Sequence, residues 1–179
     1  MAFVLSCFHP RFNRYLNLLF LLLVSMKRYF ARKDFIAKLK NELPENFREL
    51  IPKKGKVEIA EQDDRVFVIV DGEVLFFKHG EEYIPSLKAA LKIEINQSYV
   101  VVDKGAIPYI VSGADVMRPG VVEFDENIKK GDVVIVKEEG YGKPIAIGKA
   151  LWDGQEFKTK EKGKCVKNLH YIGDKIWKL

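Results

Sequence analysis

Turn chemistry recurs so closely between Tyr99 and Trp177 that this half of the chain has no room for a long helix or a long strand. Lys130-Gly131-Asp132, Gly140-Tyr-Gly-Lys-Pro144 and Gly173-Asp174 separate apolar runs at 121–124, 133–136, 146–151, 165–171 and 175–177, and a buried-looking strand at 99–102 opens the series. Gly105 and Gly113 bracket seven residues, room for about two helical turns with Gly113 as C-terminal cap. Pro108 cannot sit in a helix interior, so that helix begins no earlier than about Lys104 or Gly105. Short strands with one brief helix in about 80 residues predict a small, partly closed β-barrel.

The first half follows another rule. Over 29–43 the apolar positions Phe30, Phe35, Ile36, Leu39 and Leu43 recur at helical spacing with Lys and Arg between them, which predicts an amphipathic helix stopped by Pro44. A second short helix over 45–51 ends at Pro52-Lys53-Lys54-Gly55. Strands follow at 57–60, 66–70 and 73–77, the last two joined by Asp71-Gly72, a strong tight-hairpin signal. Pro85 sits where the first turn of a helix tolerates it, with Leu87, Ala90 and Leu91 as that helix's inward face. The chain therefore reads as α+β, with a small α+β unit over 26–97 and the barrel over 98–179.

Residues 1–25 do not match either unit. Arg11 and Arg14 precede the run from Leu18 to Val24, and no acidic residue is present. The order is that of a signal peptide, but the run is too short to span a bilayer and no small-x-small cleavage site follows. Met26 makes a natural start, so this apolar extension reads as an over-extended reading frame. A membrane anchor and a docked terminal helix are the alternatives.

Composition removes several classes of function. Two cysteines, Cys7 and Cys165, form neither a disulfide framework nor a thiolate metal site and point to a reducing, cytoplasmic setting. Three scattered histidines leave little material for His-based metal catalysis. There is no P-loop, no GxSxG and no dinucleotide fingerprint, and the only conspicuous carboxylate pair near the short helix is Asp103 with Asp115. Asp103 reads as a local cap or turn former. No enzyme activity, metal, cofactor or small-molecule substrate is expected. The net charge of +5 falls to +3 when Arg11 and Arg14 are set aside, too little by itself to announce nucleic acid.

Val102-Asp103-x-Gly105-Ala106, Ser112-Gly113-Ala114, Met117-x-Pro119-Gly120, Gly131-Asp132-x-Val134 and Pro144-x-Ala146-x-Gly148 give the second unit a pattern that resembles the PUA domain, an RNA-binding module named for pseudouridine synthases and archaeosine transglycosylases. The whole of 26–179 is similar to the malignant T-cell amplified sequence family, also called translation machinery-associated proteins, in which a pre-PUA domain precedes the PUA domain. The carriers are Met26-Lys-Arg-Tyr-Phe30, Ile51-Pro-Lys-Lys54, Gly72-Glu-Val-Leu-Phe-Phe77, Pro85-Ser-Leu87, Val102-Asp-Lys-Gly-Ala-Ile107 and Asn168-Leu-His-Tyr-Ile172 with Trp177. The resemblance implies a non-catalytic protein that binds tRNA or rRNA and the small ribosomal subunit in initiation, reinitiation or recycling. In eukaryotic members the pre-PUA domain engages a partner with an initiation-factor-one-like domain. An accessory subunit that presents tRNA or rRNA to a separate modifying enzyme is the alternative function, and a protein adaptor is a further rival.

The resemblance places the RNA surface on the glycine-flanked helix: Lys104, Gly105, Ala106, Tyr109, Ser112 and Gly113. Arg118 would contact phosphate or stack on a base from the following loop. Exposed N–H groups at the start of the helix would suit a phosphate oxygen; the alternative is that both glycines serve turns alone. Lys158, Lys160, Lys162, Lys164 and Lys167, alternating along an extended segment, would place a basic stripe on one face, with Lys143 and Lys149 nearby. Tyr109 and Tyr141 are candidates for stacking on bases, and His170 reads as a structural hydrogen-bonding residue.

Overall fold

The computed structural model describes residues 27–179 apart from Lys54 and Asp63, and the expectations for residues 1–25 lie outside the described residues. Two sheets are built in succession. The first is an antiparallel meander in the order β1-β2-β3-β4-β5: β1 Lys27–Phe30, β2 Val57–Gln62, β3 Arg65–Val70, β4 Glu73–His79 and β5 Glu82–Pro85. Between β1 and β2 run two helices, α1 Lys33–Glu42 and α2 Glu45–Arg48, whose Leu39, Leu43, Phe47 and Ile51 region fills the core against the sheet. The hairpin at Asp71-Gly72 forms as expected, with φ of 48° and 92° supplying the two positive dihedrals that a two-residue turn requires.

The second sheet has the order β7-β11-β10-β9-β6-β8. Its strands are β6 Tyr99–Val102, β7 Val116–Met117, β8 Val121–Phe124, β9 Val133–Glu138, β10 Pro144–Ala150 and β11 Lys164–Tyr171. All pairs are antiparallel except β6 with β9. Its two edge strands, β7 and β8, are consecutive and joined only by the 3-10 turn Arg118–Gly120, so the sheet curls into a partly closed barrel. Val100, Val102, Ile110, Val134, Val136, Phe157 and Val166 fill it. At Gly148 a Cβ would stand 2.4 Å from Val166 Cγ1 and 2.7 Å from the Lys167 carbonyl oxygen, and the β10–β11 register shifts beside it.

Five local expectations are corrected. Residues 27–30 are strand, not the start of a helix, because Tyr29 and Phe30 suit an extended edge and β2 supplies the pairing partner. Pro85 ends β5, and Ser86 caps the one-turn helix α3 Leu87–Ala90 by accepting from the Ala89 N–H at 3.3 Å. That helix buries Leu87, Ala89 and Ala90, while Leu91 points outward. The lysine stripe does not form, because Asp153 and Glu156 make a capping box that winds 154–159 into α5 Gly154–Thr159. Residues 175–177 are turn, not strand.

The two sheets share apolar surface. Ile135 and Ile147 of the barrel belong to the buried cluster of the first sheet, and Leu169, Ile172, Ile176, Trp177 and Leu179 pack against it. Asp174 organises this C-terminal clasp. It accepts the N–H groups of Trp177 at 2.8 Å and Tyr171 at 3.2 Å, and its Oδ2 lies 2.7 Å from Nδ1 of the fully buried His170. The His170 ring meets Phe77 of β4 edge-on at 5.6 Å. Burial pushes the Asp174 carboxyl up, but the bond from His170, the Trp177 N–H, the His170 charge and the Tyr171 N–H together pull it below its ordinary value.

Asp174→Ala leaves a buried imidazole nitrogen and two N–H groups without an acceptor and is expected to cost about 2 to 3 kcal/mol of unfolding free energy, read from the denaturant midpoint. The native carboxylate has the lower pKa, so its contribution is complete above about pH 5 and is lost as the pH falls through about 4 and below. The variant should show a flatter stability profile there.

Candidate nucleic-acid interface

The chain leaves β6 at Val102 and turns at once. The Asp103 N–H donates to the Gly120 carbonyl at 2.9 Å, and Asp103 Oδ1 accepts the Ala106 N–H at 2.8 Å. Asp103 thus forms the turn ahead of the helix, whose N-cap residue is Ala106 with no side-chain cap of its own. The one-turn helix α4 Ile107–Ile110 follows with Pro108 in its first turn. Gly113 closes it at φ +93°, its N–H on the Ile110 carbonyl at 3.0 Å, with the Ala114 N–H on the Tyr109 carbonyl at 3.0 Å. A Cβ at Gly113 would also lie 3.1 Å from the Tyr171 ring, a tight contact that adds to the strain of the positive dihedral. Asn168 of β11 clips the far end by donating from Nδ2 to the Ile110 and Ala114 carbonyls, each at 3.0 Å, while its N–H donates to Asp115 Oδ1 at 2.8 Å.

A second element comes beside this helix. Glu139 Oε1 accepts the Lys104 N–H at 3.1 Å, and the Glu139 N–H donates to the Val102 carbonyl at 3.1 Å. The β9–β10 hairpin is thereby held against the start of α4. Within the hairpin Glu138 accepts three N–H groups, from Lys143 at 3.1 Å and from Tyr141 and Gly140 at 2.7 Å, and these hold its carboxyl below the ordinary range. The result is an exposed tip with Tyr141 88% accessible and the Lys143 ammonium 5.9 Å from its ring. Tyr109 on α4 is 70% accessible.

The structure therefore brings together Lys104, Gly105, Ala106, Tyr109, Ser112 and Gly113 along α4, with Tyr141 and Lys143 on the neighbouring hairpin. Ser112 turns its hydroxyl onto the Pro108 carbonyl at 2.6 Å. Lys164 stands at the other end of the helix, tied to Asp115 at 2.6 Å. Two expected residues lie elsewhere. Lys149 reaches Glu82 of β5 at 2.6 Å and bridges the two sheets. Arg118 is half-buried, its Nε donating to the Phe157 carbonyl at 2.8 Å and a terminal nitrogen to the Val121 carbonyl at 2.9 Å, with the guanidinium 5.7 Å from the Phe124 ring. It braces α5 against β8. Lys158 pairs with Glu126 at 2.5 Å, and Lys160 with Glu156.

Sequence reasoning missed Glu139, whose only local sign is its place beside Glu138 ahead of Gly140-Tyr-Gly142. Cys165 is no nucleophile: burial pushes its thiol up to about 12, and it donates to the Val116 carbonyl at 3.3 Å. Among the described residues no group of three or more His, Cys, Asp or Glu could hold a metal ion.

Residues 98–172 match the family model described as PUA domain, and residues 27–93 match the one described as domain of unknown function (DUF1947). An uncharacterized protein of Methanocaldococcus jannaschii is 53% identical over 154 residues, covering 84% of this chain and 95% of that protein. Translation machinery-associated protein 20 of Saccharomyces cerevisiae is 37% identical over 136 residues, covering 72% of this chain and 75% of its own. The chain belongs to the translation machinery-associated family. A conserved PUA domain protein from Thermoplasma acidophilum superposes with a TM-score of 0.73 at 28% identity, covering 84% of this chain and 97% of that one. The α+β class with a PUA-type barrel is thus the fold found for this translation machinery-associated chain.

Because Arg118 is a brace, Arg118→Ala is expected to lower stability by about 2 kcal/mol, with two carbonyls losing a charged donor. Calorimetry on the variant should show a reduced melting temperature whether or not a ligand is present.

Proposed function

We propose that this chain is a non-catalytic RNA-binding protein of the cytoplasm that acts in translation, docking on the small ribosomal subunit or on tRNA during initiation, reinitiation or recycling. The observation that carries this reading is the Glu139 bond to the Lys104 N–H, which sets two exposed aromatic rings, Tyr109 and Tyr141, and two cations, Lys104 and Lys143, on adjacent elements of the PUA barrel. Lysines attract phosphate oxygens, and exposed rings offer a stacking surface to unpaired bases. The family's translation-associated members support the setting. Among the described residues no helix is long and apolar enough to cross a membrane.

The test is binding to purified small ribosomal subunits and to bulk tRNA across a salt series. Lys104→Glu/Lys143→Glu is expected to weaken binding at least tenfold, and to make the slope of log affinity against log salt shallower by about 1 for each phosphate that no longer meets a cation. Tyr141→Ala should cost about 1 to 3 kcal/mol if a base stacks there. The ligand with the higher affinity separates ribosome docking from tRNA handling. Unchanged affinity in the double variant would remove this face as the RNA site.

A further inference from the structure

Residues 27–33 read Lys-Arg-Tyr-Phe-Ala-Arg-Lys, and every one except Ala31 is exposed. Among the described residues β1 pairs only with β2, which leaves its outer side without a strand partner there, and Arg32 continues the extended backbone to the start of α1. Tyr29 is 47% accessible and Phe30 65%, an unusual display of aromatic surface on so short a strand. The Tyr29 hydroxyl donates to Glu61 Oε1 at 2.6 Å, which fixes its ring at the edge. Among the described residues, Lys27, Arg28, Arg32 and Lys33 take part in no ion pair, unlike Lys38, Lys78 and Lys92 of the same unit. Strand alternation puts Lys27 and Tyr29 on one side and Arg28 and Phe30 on the other, so each side carries one cation and one ring.

Two kinds of occupant suit an open edge. Cationic side chains along an edge obstruct the addition of another strand. They favour a polyanion, and rings interleaved with cations match what an unpaired nucleic-acid strand uses. We propose that this edge is a second RNA contact that takes an unpaired stretch of RNA, phosphates on Arg28, Arg32 and Lys33 and bases against Tyr29 and Phe30. The proposal rests on the RNA-binding reading above and extends it to the first sheet.

The full chain is titrated with a fluorescein-labelled 20-nucleotide oligouridine and crosslinked to the same oligomer carrying 4-thiouridine. Arg28→Glu/Arg32→Glu is expected to weaken binding about tenfold or more and Phe30→Ala about fivefold, with crosslinks mapping to the peptide that holds Tyr29 and Phe30. Thermal melts monitor folding of each variant. Lys104→Glu/Lys143→Glu is run beside them. If that variant alone loses affinity and crosslinks fall only within 98–179, the edge proposal is overturned and the PUA reading stands. If only the edge variants lose affinity, the edge stands and the PUA face fails. No saturable binding overturns both. A concentration-dependent dimer that the edge substitutions abolish, without crosslinks at 27–33, assigns the edge to a second copy and overturns its role in RNA binding.

Discussion

A connection of a few residues leaves N–H groups that neither a strand nor a helix can take, and in this barrel the acceptors are carboxylates. Asp103 takes the N–H of Ala106, Asp125 those of Ser98 and Asn127, Glu138 those of three hairpin residues, Asp153 that of Glu156, and Asp174 those of Tyr171 and Trp177. At Asp125, Glu138 and Asp174 these bonds stabilise the charged carboxylate. Burial pushes Asp125 up, yet the donors from Asn127 and Ser98 outweigh it and leave the group below its usual value. In the part-buried turns at Asp103, Asp125, Asp153 and Asp174 an N–H shielded from water and left without an acceptor would cost more than the bond contributes, so these turns gain from an acid at that position.

That constraint also sorts the charges in space. The chain carries 30 basic and 25 acidic residues, a modest excess. Acids that accept N–H groups lie against the backbone, whereas Lys104, Tyr141 and Lys143 extend into solvent from the turns those acids hold. One carboxylate, Glu139, does more than close its own turn. By reaching the Lys104 N–H it fastens the β9–β10 hairpin to the helix start, so that residues 35 positions apart form one surface.

What could be read from the sequence follows how local each determinant is. The Asp71-Gly72 hairpin was legible because two positive dihedrals are a property of the turn residues themselves, and strands at 99–102 and 121–124 were bounded by turn signals on both sides. The edge strand at 27–30 was not, because its pairing partner begins 27 positions further on and the helical spacing of Phe30 and Phe35 pointed the other way. Arg118 and Lys149 share that cause: the Phe157 carbonyl that fixes Arg118 lies 39 positions away and the Glu82 partner of Lys149 lies 67, so a free cation and a braced one look alike in sequence. The winding of 154–159 was a different case, since Asp153 and Glu156 have capping-box spacing and the signal was present but lost among the lysines.

The same hydrogen bonds decide how an anion can be held at the α4 face. A phosphate seated on N–H groups at a helix start needs those groups unoccupied, and here two of them are taken, that of Lys104 by Glu139 and that of Ala106 by Asp103. A single turn also has little aligned dipole to offer. On the proposed reading, attraction for phosphate at this face would come chiefly from the ends of flexible lysines, which are strongly hydrated point charges. Such contacts tolerate many phosphate geometries and weaken steeply as salt rises. Shape must then come from the rigid parts between them: the one-turn helix locked by Gly113 and Asn168, and the hairpin locked by Glu138. On that reading, such a face would discriminate by the fit of RNA between two fixed elements, with base identity entering through the rings of Tyr109 and Tyr141.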